Sequence, residues 1–295
     1  MKFKIGLDLG GTKIETVVLD PDHKIIYRDR LPTEALEGSD KVLENVKYIY
    51  TKAVNFINNK NHTLGIGIPG YISNKTGLLN YSTIQCHNGL NPVFLFKNLF
   101  QRDFSVENDA NCFAFAEAII GVGQKYTNIF GLIIGTGCGA GIVFNKNLIR
   151  GNNNLAGEFG HSILKMNGRS CFCGKKGCVN AYISGTAVQK EINKISKDNI
   201  TIENFFNKSR LSIQENKIKE DFFDFLQASI SNIINIIDPD VIILGGGLSN
   251  LDAIYSRLNL SNKYFDTEKK DIEVKIIKNS LGDSAGVLGA ALLGK

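Results

Sequence analysis

The chain has 295 residues, 43% of them hydrophobic, which is enough for a sizeable core and at this length suggests two lobes rather than one compact unit. Its 34 basic and 29 acidic residues leave a charge of +5 spread along the chain, and pairs such as Lys269-Lys270 lie between acids (Glu268, Asp271), which marks a solvated face and argues against a nucleic-acid partner. No apolar run reaches the roughly 20 residues of a membrane helix and the start lacks a signal-peptide core, so we expect no membrane partner, a cytoplasmic location, and cysteines that are reduced or metal-bound rather than disulfide-paired.

Taken in order, residues 4–9, 14–19 and 24–31 read as three strands, the first two joined by a glycine turn as in an antiparallel hairpin. A helix is predicted over 39–58, capped by Ser39 or Asp40. A strand over 64–68 stops at Pro69-Gly70, a helix follows over 94–100, then a brief strand over 104–106. Residues 108–120 form an alanine-rich helix closed by Gly121 and Gly123. A second meander then starts: a strand over 128–134, a glycine turn over 135–141, and a strand over 142–145. This unit echoes residues 7–18, which suggests an internal duplication with one phosphate loop in each half. The polar stretch 197–219 reads as a surface excursion. Phe222, Leu226, Ile230, Ile233 and Ile237 recur at helical spacing and mark a buried face. An apolar strand over 241–244 runs into Gly245-Gly246-Gly247, and a last helix spans 284–293.

Several segments carry chemistry. In Asp8-Leu9-Gly10-Gly11-Thr12-Lys13 the glycines let the backbone approach an anion, exposed N–H groups and the Thr12 hydroxyl can bind phosphate oxygens, and Asp8 can hold Mg²⁺ through water. The second loop begins Gly135-Thr136-Gly137 and ends at Ala140-Gly141. Its near-GxGxxG spacing, with Glu158 some distance on, invites a dinucleotide reading, but a strand follows where a helix is required. A second phosphate loop facing the first is the better reading.

Glu107-Asn108-Asp109 stands at a helix start. Asn108 or Asp109 can simply cap that helix, but between two phosphate loops Asp109, held ionised by the helix dipole, suits the catalytic base of a phosphoryl transfer. His161 with Cys171, Cys173 and Cys178 offers three thiolates and an imidazole, the donor set of a structural zinc site. Glu158, three residues before His161, would be a rigidly held hydroxyl acceptor. Gly245, Gly246 and Gly247 allow flat contact with a ring or ribose, or serve only as a turn.

On the segments 8–13, 65–70, 107–111, 135–141, 157–161, 171–178 with Ser184-Gly185, and 238–247, the chain resembles the ROK family (repressor, open reading frame, kinase) over nearly its whole length. The resemblance implies an actin-like ATPase (ribonuclease H-like) α/β fold with two duplicated lobes around a cleft. Residues 1–107 would form the small lobe, with the C-terminal helix (about 282–295) packing back on it, and 108–281 the large lobe with the zinc segment. It also implies ATP with Mg²⁺, structural Zn²⁺, transfer to a sugar's terminal hydroxymethyl group, and a homodimer.

Asp109 would be the base, and Asn108, Glu158 and His161 would touch sugar. Fructokinases and mannokinases are most similar, so fructose is the first expectation and N-acetylglucosamine the alternative. The family's repressors carry an N-terminal DNA-binding domain. This chain opens on its first strand and keeps Asp109 and both loops, which favours a kinase. One departure stands out: Asn180 occupies a sugar-contact position where the family usually has Glu, which leaves a sugar-binding regulator without turnover as the reading from another class. The loop 79–89 offers Asn80, Thr83 or Asn88 as a further sugar contact.

Overall fold

Two five-stranded sheets with the same connectivity build the molecule in the computed structural model, which describes residues 2–196, 200–258 and 274–295. The first sheet contains β1 (Phe3–Leu9), β2 (Lys13–Leu19), β3 (Ile25–Pro32) and β4 (His62–Ile68); past a small hairpin of β5 (Tyr71–Ile72) and β6 (Leu79–Asn80) it is completed by β7 (Ser105–Asn108). Its order is β3-β2-β1-β4-β7. The second contains β8 (Asn128–Ile134), β9 (Cys138–Phe144), β10 (Asn147–Ile149), β11 (Val241–Gly245) and β12 (Lys275–Lys278), in the order β10-β9-β8-β11-β12. In each, an antiparallel meander of three strands is extended by two parallel strands. The duplication read from the two glycine turns is therefore a duplication of whole sheets, and the fold is the two-lobed α/β architecture expected.

Helices α1 (Ser39–Phe56) and α2 (Pro92–Phe100) complete the first half. The second carries α3 (Asp109–Ile119), α4 (Asn180–Ile183), α5 (Gly185–Ile195), α6 (Ile202–Phe206), α7 (Ile213–Ile237) and α8 (Asp252–Arg257), and the chain ends in α9 (Ala285–Leu293). Each half has its own core. Ile5, Leu7, Leu64, Ile66, Val46 and Phe96 fill the first; Leu132, Ile134, Ile183, Leu226, Ile230 and Leu244 fill the second. A third cluster joins them, in which Val17 and Leu19 meet Phe113, Ala114, Ile243, Val287 and Leu288.

That joint depends on small residues. A Cβ on Gly6 would enter the Val287 carbonyl, and one on Gly65 the Ala290 carbonyl, so α9 lies directly on β1 and β4. A Cβ on Gly289 would enter the Cys112 carbonyl of α3. Helix α9 is thus pressed against the first sheet on one side and α3 on another. Beside its start, Glu15 is 1% exposed and accepts from Arg28 Nε at 2.7 Å, Arg30 Nε at 2.7 Å and Ser284 Oγ at 3.0 Å. A buried carboxylate needs such partners.

Several boundaries differ from those read in the sequence. Gly38, not Ser39 or Asp40, is the N-cap of α1, and the cap makes no side-chain hydrogen bond. Helix α2 starts earlier than expected because Asn91 Oδ1 accepts from Val93 N and Phe94 N, with Pro92 in the first turn. The second glycine turn is shorter: Gly139 and Gly141 belong to β9, because Ala110 and Ala114 of α3 press on them. Of the stretch 197–219, residues 202–206 are helical with Phe205 and Phe206 buried, and a capping box between Ser212 and Glu215 starts α7 inside it. Its first residues, 197–199, and Lys269-Lys270 lie outside the described residues.

We expect Gly289→Ala to force α3 and α9 apart and to lower stability by roughly 3 kcal/mol. Thermal unfolding reads this, and an unchanged Tm would show that the two helices are not in close contact.

Candidate active site

Two hairpin turns and one helix end converge on a cleft. The first turn, Gly10-Gly11-Thr12, closes β1 onto β2: Gly10 N donates to Lys13 O at 3.0 Å, and Thr33 Oγ1 donates to Gly10 O at 2.6 Å. The second, Gly135-Thr136-Gly137, closes β8 onto β9, and Gly135 N donates to Gly137 O at 2.9 Å. It is fixed from behind: Gly185 N donates to Gly135 O at 2.7 Å, Thr186 Oγ1 donates to Thr136 O at 2.8 Å, and Cys138 N donates to Asn180 Oδ1 at 2.8 Å.

The helix end is that of α3. Asn108 is its N-cap: its Oδ1 accepts from Ala110 N at 2.9 Å and Asn111 N at 3.1 Å, while its Nδ2 donates to Gly70 O at 2.9 Å. Capping leaves the carboxylate of Asp109 in the cleft, its Oδ1 accepting from Ala110 N at 2.8 Å. The helix end does not act alone on this carboxyl. Burial outweighs the hydrogen bonds that stabilise the anion and pushes Asp109 up to about 6. Asp8, at the end of β1, is pushed up to about 7 by burial first and then by the charges of Asp109 and Glu15, against the pull of Lys13 and Arg30.

Three cavities adjoin here. The largest, about 850 Å³, is lined by Gly135, Thr136, Thr186, Gln189, Gly247 and Leu248 among others. A second, about 600 Å³, takes Asp8, Lys13, Asp109, Gly246, Lys278 and Asp283. The third, about 250 Å³, is lined by Asn108, Asp109, Gly135, Thr136, Gly137, Glu158, His161 and Asn180, with Tyr81, Thr83 and Phe172. Asp109 belongs to both the second and the third. Glu158 opens a short turn after Gly157, and burial, then the Asp109 charge, raises its pKa.

Not every residue singled out in the sequence faces these spaces. Gly10, Gly11 and Thr12 shape the first turn but line none of the three. Gly245 is buried in β11, where a Cβ would strike the ring of Phe113, so only Gly246 and Gly247 reach the cleft. Of the ambiguous loop, Thr83 lines the smallest cavity, while Asn80 and Asn88 spend their amides on the Leu78 and Ser82 carbonyls.

Sequence reading missed Tyr81, Phe172, Lys278 and Asp283 as cleft residues. It also missed Glu117 on α3, which is fully buried. Its carboxylate accepts from Val122 N, Ser280 N, Leu281 N and Ser280 Oγ at 2.8–3.0 Å and so fixes the segment that leads into Gly282 and Asp283. Nothing in the local sequence marks Glu117, because its partners lie far along the chain.

Beside the smallest cavity, His161, Cys171, Cys173 and Cys178 place one ligand atom each within 4.8 Å of one another. Cys171 Sγ is 3.6 Å from His161 Nδ1, and Cys173 Sγ is 3.7 Å from Cys178 Sγ. Tetrahedral ligands about 2.3 Å (sulfur) and about 2.0 Å (nitrogen) from zinc stand roughly 3.5–3.8 Å apart, so the cluster fits one zinc ion. Purified protein should then carry about one zinc per chain, and Cys173→Ser should lower both zinc content and Tm. Elemental analysis that finds the same zinc in the variant would remove the site.

A family model described as "ROK family" matches residues 4–295. The N-acetyl-D-glucosamine kinase of Histophilus somni is 35% identical, with 98% of this chain and 97% of that protein covered. The N-acetyl-D-glucosamine kinase of Yersinia enterocolitica is 32% identical, with 98% of each covered. Among solved structures, the ROK hexokinase of Thermus thermophilus superposes with a TM-score of 0.87 at 26% identity, covering 99% of this chain and 97% of that one. Matched by the family model over residues 4–295 and by these kinases from end to end, the chain belongs to the ROK family of sugar kinases.

Proposed function

We propose that the protein is an ATP-dependent N-acetylglucosamine kinase that phosphorylates the terminal hydroxymethyl group of its sugar. The observation that carries this reading is the position of Asp109, whose carboxylate borders both the small cavity and the cavity lined by Asp8, Lys13 and Lys278. A sugar hydroxyl held at Asp109 stands where it can meet a phosphoryl group in the neighbouring space. The choice of sugar rests on the N-acetyl-D-glucosamine kinases among the relatives. Fructose, the first expectation from the sequence, falls behind it.

In this reading the adenosine lies in the largest cavity, beside Gly247 and Leu248, with the phosphates between Thr136 and Lys13. The sugar lies against Asn108, Glu158 and His161. Asp109 accepts the hydroxymethyl proton as that oxygen bonds to the γ-phosphorus and the bond to the ADP oxygen breaks. Lys13 and Lys278 offset charge on the phosphates. Asp8 would hold Mg²⁺, which supplies further charge neutralisation at the phosphates. Zinc held by His161, Cys171, Cys173 and Cys178 would rigidify the segment from Glu158 to His161. Closure of the lobe 1–107 with α9 onto the lobe 108–281 excludes water from the phosphoryl group. The thiols of the cluster suit a cytoplasmic setting.

Asp109→Asn should lower kcat by about 10²–10⁴-fold while the fold and the KM for ATP persist. Near-normal turnover in this variant would exclude Asp109 as the base. Because the base acts as the anion and burial raises its pKa to about 6, wild-type kcat/KM should be full above that pH and fall tenfold per unit below it. A profile flat down to pH 5 would contradict the assignment. Among N-acetylglucosamine, fructose, mannose and glucose, the first should give the highest kcat/KM for ADP release. ADP release that no sugar raises above the background would leave a sugar-binding protein without turnover.

A further inference from the structure

The walls of the small cavity come from separate parts of the chain. Asn108 and Asp109 lie at the start of α3, Tyr81 and Thr83 follow the β5–β6 hairpin, and Glu158 and His161 follow β10. Outside the cavity, the segment that leads into Glu158 is bonded to both of the other walls. At its start, Arg150 Nε donates to Glu107 Oε2 at 2.5 Å. Glu107 Oε1 in turn accepts from Asn108 N at 3.0 Å and Asn111 Nδ2 at 2.9 Å, which ties that end to the first turn of α3. Further on, Asn154 Nδ2 donates to Ile72 O at 2.9 Å and to Asn74 Oδ1 at 2.5 Å, and Asn74 Nδ2 donates to Asn152 O at 2.7 Å. Asn154 itself lines none of the three cavities.

Both sides of this junction are tied to cavity residues. In the segment, Ala156 N donates to Arg150 O at 3.1 Å and Glu158 N to Leu155 O at 3.2 Å. Gly157 (φ 92) lies so close to the Ala140 carbonyl that a Cβ would enter it. In the hairpin, Ile72 pairs with Leu79 and Tyr71 with Asn80, and the rings of Tyr71 and Tyr81 stack with centroids 6.0 Å apart. The Asn154 amide therefore stands between Glu158 on one side and Tyr81 on the other. It is half-buried, and each of its two hydrogens has an acceptor.

We infer that Asn154 is a positioning residue for sugar binding: by joining the β5–β6 hairpin to the segment before Glu158, it sets the spacing of two walls of the small cavity before the sugar enters. The inference rests on the reading of that cavity as the sugar site and goes beyond it, because Asn154 acts from outside. Walls already spaced for a ligand cost less to order when it binds. The backbone at Asn154 suits a direct test. Its φ of 55 is left-handed, a conformation that asparagine and glycine tolerate and most residues do not.

Asn154→Gly removes the amide and keeps that backbone, so the variant folds. Calorimetric titration with N-acetylglucosamine, without ATP, should show Kd raised about fivefold or more. In ADP release, KM for N-acetylglucosamine should rise by the same factor while kcat, KM for ATP and zinc content hold, a split that a general loss of stability does not produce. Asn74→Ala, which removes the partner amide on the hairpin, should raise Kd in the same direction. An unchanged Kd in Asn154→Gly, or a loss shared equally by kcat and ATP binding, overturns the inference and leaves the kinase reading standing. Because the titration needs no turnover, wild-type protein that binds the sugar but releases no ADP with it overturns the kinase reading alone. Wild-type protein that does not bind N-acetylglucosamine overturns both.

Discussion

The structure depends on how closely α9 can approach its neighbours. Its sequence, AGVLGAALL, puts Gly289 against the Cys112 carbonyl of α3, and the positions facing its backbone on β1 and β4, Gly6 and Gly65, have no side chain at all. Close contact removes void space and forms the cluster that joins the two halves. Few neighbours remain that can give way. A Cβ at Gly289 would meet backbone, which cannot move aside as a flexible side chain would.

The chemistry follows from that contact. Asp8 ends the strand on which α9 lies, and Gly286 of α9 leaves room for its carboxylate. Asp109 begins the helix that α9 crosses. Pressing α9 onto both therefore holds two carboxylates at one cleft, close enough for the Asp109 charge to raise the pKa of Asp8. Burial raises the pKa of both, and a cation beside them would favour their charged forms. Glu15 and Glu117, both buried, tie down the segments on either side: Glu15 the lead into α9, Glu117 the loop before it.

Much of this was legible in the sequence because the signals are local. The glycine turns, the Asn108-Asp109 helix start and the clustered cysteines each declare themselves within a few residues, and the duplicated order of elements follows from repeating the first of these. What stayed hidden depends on distant pairs. Gly245 reads like a ligand-binding glycine, yet Phe113 claims the space beside it. Glu117 carries no local mark in its alanine-rich helix, yet residues 280 and 281 donate to it. Gly139 and Gly141 read as turn residues, yet α3 packs on them and keeps them in β9. The polar stretch ahead of α7 concealed two buried phenylalanines because its helix is only five residues long.

The central claim is that phosphate passes to the oxygen held at Asp109, at the junction of two cavities. The direct measurement compares ADP release with N-acetylglucosamine and with its 6-deoxy analogue, which has the same ring and acetamido group but no terminal hydroxyl. The account predicts turnover with the first, none above background with the second, and competitive inhibition of the first by the second. Equal ADP release with both would place the reaction at another oxygen and contradict it.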